Sequence, residues 1–241
     1  MRFGVEISLE NEKLNKDKNR MILSLLKYCY SSYNQNYFND LYKKNPVKRK
    51  SFTFSIYMGE CKFLKEEIFI PEKKLILNFS TSDMKDGIMF YNSFLINKGK
   101  GFPVKNNTLN IEKINMINEK HIYKDEVILK TMSPIVVREH KGNNKETWYY
   151  SLDDAKGKEI FMSNLKYQLL EEFGEDRRLD IEEIKVEVLS NKEVKAKHYG
   201  IVILSNICKI KVIGKPYLLD YIYRSGIGSR KNSGFGMLDI V

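Results

Sequence analysis

Residues 225–238 read SGIGSRKNSGFGML and place four glycines, at 226, 228, 234 and 236, around a basic polar centre. Helical periodicity precedes this stretch and a strand-like stretch follows it, so the sequence predicts a helix-loop-strand step. Glycine tolerates positive φ and close backbone approach, so successive N–H groups of such a loop can point at one anion. The same composition also fits a tight helix-to-strand connection whose polar residues face solvent.

The centre of this glycine-rich loop (residues 225–238) suits a phosphate backbone, because it combines two cations with neutral hydrogen-bonding side chains. No Lys-Ser/Thr pair closes a Walker loop here, and no strand leads into a GxGxxG turn. We therefore predict phosphate or RNA binding by this loop. The predicted contacts are Gly226, Gly228, Ser229, Arg230, Lys231, Asn232, Ser233 and Gly234.

The second half of the chain leads up to this loop. A short strand at 134–138, a turn at 142–144 and a returning strand at 147–150 begin it. The patterns then predict a helix at 154–173 stopped by Gly174, strands at 184–189 and 199–213, a helix at 215–224 and a last strand at 235–241.

The first half shows the same order of elements. The predicted elements are a strand at 2–9, a helix at 17–32, a strand at 51–58, strands at 67–70 and 74–80, a helix at 83–95 capped by Ser82, and strands at 108–117 and 126–132. Repeated strand-helix-strand-strand-helix-strand order predicts an α+β protein of two tandem ferredoxin-like (βαββαβ, RRM-like) domains, at 1–124 and 125–241.

The charge balance favours a polyanionic partner. The 241 residues hold 41 Lys and Arg against 31 Asp and Glu, a formal net charge of +10. A surplus of this size attracts polyanions, so nucleic acid is the leading candidate, with a membrane surface or simple solubility as alternatives.

Cysteine usage and hydropathy indicate a reducing compartment and no membrane. Cys29, Cys61 and Cys208 lack paired spacing, which argues against a disulfide framework and a cysteine zinc site. Neighbouring carboxylates lie on elements where consecutive side chains diverge, so we predict no metal and no cofactor. No signal peptide and no apolar stretch of about 18 residues is visible, so a soluble cytoplasmic protein is expected.

Three strings resemble the CRISPR repeat-processing endoribonucleases of the Cas6 family, within the RAMP superfamily. They are GIGSRKNSGFGML at 226–238, KSFTFS at 50–55 and TMSPIVVR at 131–138. The resemblance implies two ferredoxin-like domains and metal-independent cleavage of CRISPR precursor RNA. In that reaction the 2′-hydroxyl beside the scissile phosphate attacks it, leaving a 2′,3′-cyclic phosphate and a 5′-hydroxyl.

The resemblance also implies a base, an acid and a cation at the scissile phosphate. A histidine in or just after the first helix usually serves, and it would fall near residues 38–40, but the chain has no histidine between 20 and 50. The strand-leading lysine is kept as Lys50. We predict Lys50, Tyr37 and His140 as catalytic, with Tyr28, Tyr30, Tyr33 and Tyr42 as further candidate proton carriers.

Other basic and aromatic residues are candidate RNA contacts. His140 lies beside Arg138 at a predicted hairpin tip, where it is either an RNA contact or an exposed turn residue. Lys48 and Arg49, within the basic run LYKKNPVKRK at 41–50, either attract RNA or form a solvated loop. Residues 148–150 (WYY) suit base stacking, with Trp148 or Tyr150 expected to be buried. His121 and His198 are expected to be ordinary surface residues.

These observations leave two functions open. One is a metal-independent endoribonuclease for CRISPR precursor RNA. The other is a non-catalytic repeat-binding protein or a backbone subunit of a ribonucleoprotein complex, which the missing histidine favours. CRISPR RNA is the expected partner, other CRISPR effector subunits are candidates, and the chain is expected to be a monomer or homodimer without membrane contact.

Overall fold

The structure, a computed structural model, describes residues 1–44, 50–141 and 146–241. The predicted contacts Lys48 and Arg49 and the predicted turn at 142–144 lie outside these residues. The chain divides into two compact units. The first comprises Met1–Glu119 with Lys197–Ile201, and the second comprises Lys120–Ala196 with Val202–Val241. The predicted domain limits of 1–124 and 125–241 stay a prediction.

The first unit begins with a strand and a long helix, as predicted. Its elements are β1 (Arg2–Leu9), β2 (Lys13–Asn15), α1 (Lys18–Tyr33), α2 (Gln35–Asn39), a π-helical turn (Asp40–Lys44), β3 (Phe52–Tyr57), β4 (Lys62–Phe63), β5 (Glu67–Phe69), β6 (Lys74–Thr81), α3 (Met84–Ile96), β7 (Gly101–Val104) and β8 (Asn107–Met116).

The main sheet of the first unit has the order β3-β6-β1-β8-β7, and β2, β5 and β4 form a small second sheet. Strand β1 pairs antiparallel with both β6 and β8. On α1 the helical spacing of Ile22, Leu25, Leu26 and Cys29 puts all four side chains in the core.

The second unit carries the glycine-rich loop near its end. Its elements are β9 (Glu126–Thr131), β10 (Val137–Lys141), β11 (Glu146–Tyr150), α4 (Ala155–Phe173), a 3₁₀ turn (Glu175–Arg177), α5 (Arg178–Glu182), β12 (Lys185–His198), β13 (Ile201–Ile213), α6 (Pro216–Ser225), a 3₁₀ turn (Lys231–Ser233) and β14 (Leu238–Ile240).

The sheet of the second unit has the order β12-β13-β9-β14, and β10 and β11 form a separate two-stranded hairpin. Omitting the added strands, each unit runs strand-helix-strand-strand-helix-strand. The last strand lies beside the first, and the third strand lies on the first strand's other side. This is the ferredoxin-like arrangement, so the predicted fold class is confirmed.

Three local predictions were wrong. The first strand of the second sheet is β9, whereas residues 134–138 pass through isolated bridges at Ile135 and Val136 into β10. Helix α3 is capped by Asp83, whose carboxylate accepts from the Asp86 N–H at 3.1 Å, and not by Ser82. Strand β12 runs to His198, nine residues beyond its predicted end, because its polar residues hide the period of two.

No helix within the described residues is both long enough and apolar enough to cross a membrane.

Candidate RNA-binding site

The glycines of the glycine-rich loop bend the chain from α6 to β14. Gly226, Gly228, Gly234 and Gly236 have φ values of 76, 83, 83 and 68°. L-residues rarely adopt this left-handed region, so glycine is the natural residue at each turn. The four glycines are themselves buried, and the polar residues between them are half-buried.

The expectation that these glycines leave N–H groups available for an anion is wrong for most of the loop. The amides of Gly226, Ser233 and Gly234 donate to carbonyls of α6 or of the loop itself. Two others reach the 134–136 segment, Ser229 donating to Val136 at 2.8 Å and Gly236 donating to Pro134 at 2.9 Å. These five N–H groups hold the loop together and are not available to an anion.

Glycine is also required for close approach inside this loop. A Cβ on Gly228 would lie 2.9 Å from the Val136 carbonyl oxygen, and a Cβ on Gly236 would collide with the Ile227 carbonyl oxygen. Helix α4 adds another contact, because Gln168 Nε2 donates to the Gly228 carbonyl at 3.2 Å. The loop is therefore a packed structural element that fixes the positions of its polar residues.

Arg230 is the residue through which this loop reaches the β10–β11 hairpin. It has a positive φ of 59° although it is not glycine. Its Nη2 donates to the Tyr149 hydroxyl at 3.0 Å, while its buried Nε has no hydrogen-bond partner among the described residues. Phe235 and Val136 pack beside Tyr149 and support the contact.

The hairpin presents a polar face at this point. Arg138 pairs with Tyr149 and His140 pairs with Thr147, so the four side chains share one side of the ribbon. Thr147 Oγ1 lies 3.0 Å from His140 Nδ1. We call Arg138, His140, Thr147, Tyr149 and Arg230 the hairpin face.

Electrostatics distinguish His140 from an ordinary exposed histidine. Partial burial, followed by the charges of Arg138 and Arg230, lowers the pKa of His140 below its ordinary value of 6.5. Its imidazole is therefore neutral near pH 7 and able to accept a proton. Arg138, His140 and Arg230, which the sequence suggested separately, therefore lie close enough together to interact electrostatically.

The remaining predicted loop residues follow Arg230 in the chain. Lys231 Nζ lies 3.5 Å from Ser225 Oγ and 5.6 Å from the centre of the Tyr221 ring. Asn232 and Ser233 are half-buried. On the opposite side of the hairpin, Trp148 is 53% exposed and Tyr150 is half-buried, so the expected burial of one of them was wrong.

The predicted catalytic residues of the first unit lie around the end of α1. Lys50 Nζ is 4.8 Å and Lys27 Nζ is 5.4 Å from the centre of the Tyr42 ring. Neither ammonium has a carboxylate within 4.0 Å among the described residues. Burial, and then the charge of Lys27, lowers the pKa of Lys50. Lys27, which was not suggested by the sequence, thus lies with Lys50 beside the Tyr42 ring, and no carboxylate of the described residues neutralises either charge.

Two tyrosines border this site. Burial raises the pKa of Tyr42, with a further contribution from Tyr199, so its phenol stays protonated at neutral pH. Its buried hydroxyl has no hydrogen-bond partner among the described residues. Tyr37 stacks on Tyr30 at 5.7 Å and carries Lys85 Nζ 5.7 Å from its ring centre.

A family match accompanies this geometry. Residues 117–240, more than half of the chain, match the family described as "CRISPR associated protein Cas6, C-terminal". The chain belongs to the Cas6 family. The match includes both the hairpin face and the whole glycine-rich loop. No curated protein matches the chain.

Solved Cas6 and RAMP structures share the fold of this Cas6 family member. A Cas6-related protein from Pyrococcus furiosus has a TM-score of 0.84 at 20% identity, covering 100% of this chain and 98% of that one. A RAMP protein described as binding different RNA substrates has a TM-score of 0.84 at 21% identity, covering 100% of this chain and 99% of that one. A CRISPR associated protein Cas6 has a TM-score of 0.75 at 23% identity, covering 100% of this chain and 99% of that one. At these identities the likeness shows the fold alone.

The other two histidines of this Cas6 family member are not part of the hairpin face. His198 is fully buried beside Tyr199, with its Nδ1 4.0 Å from the Asp17 carboxylate, so its expected surface role was wrong. His121 is exposed, with Arg224 Nη2 3.4 Å from its Nδ1. No group of three or more His, Cys, Asp or Glu side chains able to hold a metal occurs in the part of the chain that the structure describes.

Proposed function

We propose that this Cas6 family member is a metal-independent endoribonuclease that binds CRISPR precursor RNA and cuts it within each repeat. The hairpin face carries the proposal, because it gathers two guanidinium groups, a neutral imidazole and a tyrosine hydroxyl on one side of a hairpin. Guanidinium groups bind phosphate oxygens through paired N–H donors, and hydroxyls add neutral hydrogen bonds.

RNA is held, in this proposal, by side chains of the loop and the hairpin. Arg138 and Arg230 contact phosphates from the hairpin face, and Ser229, Lys231, Asn232 and Ser233 extend the contact along the loop. Gly226, Gly228 and Gly234 contribute by shaping the loop. Lys48 and Arg49 remain proposed contacts from the basic run of the first unit.

The proposed reaction needs no water. The 2′-hydroxyl oxygen forms a bond to the adjacent phosphorus as the bond from phosphorus to the 5′ oxygen breaks. A base takes the 2′-hydroxyl proton and an acid gives a proton to the departing 5′ oxygen. The products are a 2′,3′-cyclic phosphate and a 5′-hydroxyl.

Lys50 is the proposed cation for the charge that develops on the phosphorane. Its lack of a carboxylate partner among the described residues leaves its charge for an anionic ligand, and Lys27 beside Tyr42 reinforces the field.

Two residues are proposed for proton transfer. His140 suits the base, because its lowered pKa keeps the imidazole neutral near pH 7. Tyr37 is the proposed alternative in the first unit, beside Lys85. Variants of each residue decide between them.

A non-catalytic RNA-binding protein is the second candidate function. Its support is the absence of any histidine between residues 20 and 50, where the resemblance to the Cas6 family places one. Binding by the hairpin face is common to both candidates, so they differ only in whether the bound RNA is cut.

Incubation with end-labelled repeat RNA in excess EDTA separates the two candidates. We expect cleavage that stops when the nucleotide 5′ of the cut carries 2′-deoxyribose. A matched RNA with deoxyribose three nucleotides away is the control and should be cut normally. Tight binding with intact all-ribose RNA would favour the non-catalytic protein, and cleavage of both deoxy-substituted RNAs would contradict 2′-hydroxyl attack.

A further inference from the structure

A second basic feature of the first unit lies outside the residues used above. It is an open cleft of about 490 Å³ lined by Lys13, Asn15, Leu64, Lys65, Glu66, Glu67, Lys105, Asn106 and Lys197. None of these residues belongs to the hairpin face or to the Lys27–Tyr42–Lys50 cluster. The cleft therefore needs its own explanation.

The charges in this cleft are not balanced. Its two glutamates already have partners, Glu67 with Lys13 at 3.9 Å and Glu66 with Lys197 at 3.0 Å. The Lys197 contact lowers the pKa of Glu66, which stays ionised at neutral pH. Lys65 and Lys105 have no carboxylate within 4.0 Å among the described residues. Two ammonium groups thus remain for an anionic ligand.

The frame of the cleft is fixed by hydrogen bonds and does not depend on a ligand. The buried Asn107 amide ties the turn at Lys105 and Asn106 to the start of the chain, donating to the Lys13 carbonyl at 2.8 Å and accepting from the Glu10 N–H at 3.0 Å. On the other wall, the Leu64 N–H donates to the Glu67 carbonyl at 2.9 Å. The lysines therefore project from preorganised turns.

The lining defines the class of ligand. Leu64 is its single apolar side chain, so the cleft offers little to an apolar molecule or an aromatic ring. Ammonium groups and side-chain amides match phosphate oxygens. We propose that this cleft binds phosphates of the RNA strand at a position other than the cleaved phosphodiester. The inference rests on the proposed function, since it assumes that RNA is the bound polyanion.

The test compares two double variants. Lys65→Gln/Lys105→Gln removes both unpartnered cations of the cleft, and Lys98→Gln/Lys100→Gln removes the same charge from exposed residues just after α3. All four lysines are exposed, so both proteins should fold, which circular dichroism checks. Binding of full-length repeat RNA is measured by fluorescence anisotropy at salt concentrations from about 50 to 300 mM, because counterion release makes the affinity depend on salt.

We expect the cleft variant to bind repeat RNA about tenfold more weakly than the control variant at low salt. Its slope of log K against log salt should be shallower by about 1.4, because two single-strand phosphate contacts are lost. Cleft and control variants with equal affinity and slope would overturn the inference while leaving the proposed function intact. Wild-type protein that binds no repeat RNA would overturn both.

A free phosphate compound offers the same chemistry as an RNA strand, so a second arm uses inorganic triphosphate. We expect triphosphate to compete only weakly with RNA for wild-type protein. A cleft variant that loses triphosphate affinity while keeping its RNA affinity would assign the cleft to a small polyphosphate and overturn the RNA assignment.

Discussion

Arg230 Nη2 donates a hydrogen bond of 3.0 Å to the Tyr149 hydroxyl, across 81 residues of sequence. The contact joins the glycine-rich loop to the β10–β11 hairpin, where the charge of Arg230 helps to lower the pKa of His140. Because Arg230 adopts a positive φ, its backbone as well as its side chain is committed to this arrangement. The loop and the hairpin should therefore act on RNA as one surface.

Tyr149→Phe tests this coupling. Loss of the hydroxyl releases the Arg230 guanidinium from a hydrogen bond worth about 1.5 kcal/mol, so the lost positioning should lower affinity for repeat RNA by up to about tenfold. In the Arg230→Gln protein, Tyr149→Phe should lower affinity for repeat RNA only slightly, because the guanidinium that Tyr149 holds is already absent. Fluorescence anisotropy on the four proteins of the cycle measures this. Fully additive losses would show that Tyr149 does not act through Arg230.

His140 gives a pH dependence with a defined sign. The pKa of His140 is lowered below its ordinary value of 6.5, so its imidazole loses its proton as the pH rises through a value below 6.5. Because the neutral imidazole is the proposed base, the single-turnover cleavage rate should rise with pH and level off before neutrality. Arg230→Gln removes a positive neighbour, raises the pKa of His140 and should move this rise to higher pH. Arg177→Gln is the control and should leave it in place. A His140→Asn protein with an unchanged rate profile would remove His140 from proton transfer and leave Tyr37 as the candidate.

Lys50→Ala should separate cleavage from binding. Loss of the cation that we propose stabilises the phosphorane should slow single-turnover cleavage about 100-fold, as removal of one oxyanion donor does. Repeat-RNA affinity should change far less, because the hairpin face is untouched. Lys50→Arg should recover part of the rate by restoring the charge, and Lys98→Ala is the charge-matched control. A Lys50→Ala protein that cleaves repeat RNA at the wild-type rate would exclude Lys50 from the mechanism.

The structural role of the loop glycines predicts a stability difference. Gly236→Ala should destabilise the protein by about 3 kcal/mol or more, because positive φ and a collision with the Ile227 carbonyl act together. Gly174→Ala has a similar φ of 78° but nothing within 4 Å of its added Cβ, so about 1 kcal/mol is expected. Urea unfolding of both variants measures the difference. Equal losses would show that the loop is looser than this packing implies.

The fold was predictable because its information is local. Period-two and helical patterns in β1, α1 and α4 marked the elements, and their order indicated two ferredoxin-like domains. Strand β12 was partly missed, since only one of its 14 residues is buried and its polar residues hide the alternation. The cap at Asp83 was placed one residue early, because Ser82 has an equally suitable side chain.

The sequence suggested residues for the candidate site but not their arrangement. The chemistry of their side chains suggested Arg138, His140 and Arg230. Only the register of β10 and β11 shows that Arg138 and His140 lie on the side of the hairpin that carries Tyr149, the partner of Arg230. The loop amides were misread because composition does not reveal that Ser229 and Gly236 already donate to the 134–136 segment. Lys27 was missed, since its approach to Tyr42 depends on the chain beyond α1.

The most direct measurement is the affinity of Arg230→Gln for repeat RNA beside that of Arg177→Gln. Both substitutions remove one arginine from the second unit, and both arginines contact a tyrosine, Arg177 lying 5.8 Å from the Tyr217 ring. We expect Arg230→Gln to bind at least about tenfold more weakly with a shallower salt slope, while Arg177→Gln binds like wild type. Equal affinity of the two variants would contradict RNA binding by the hairpin face.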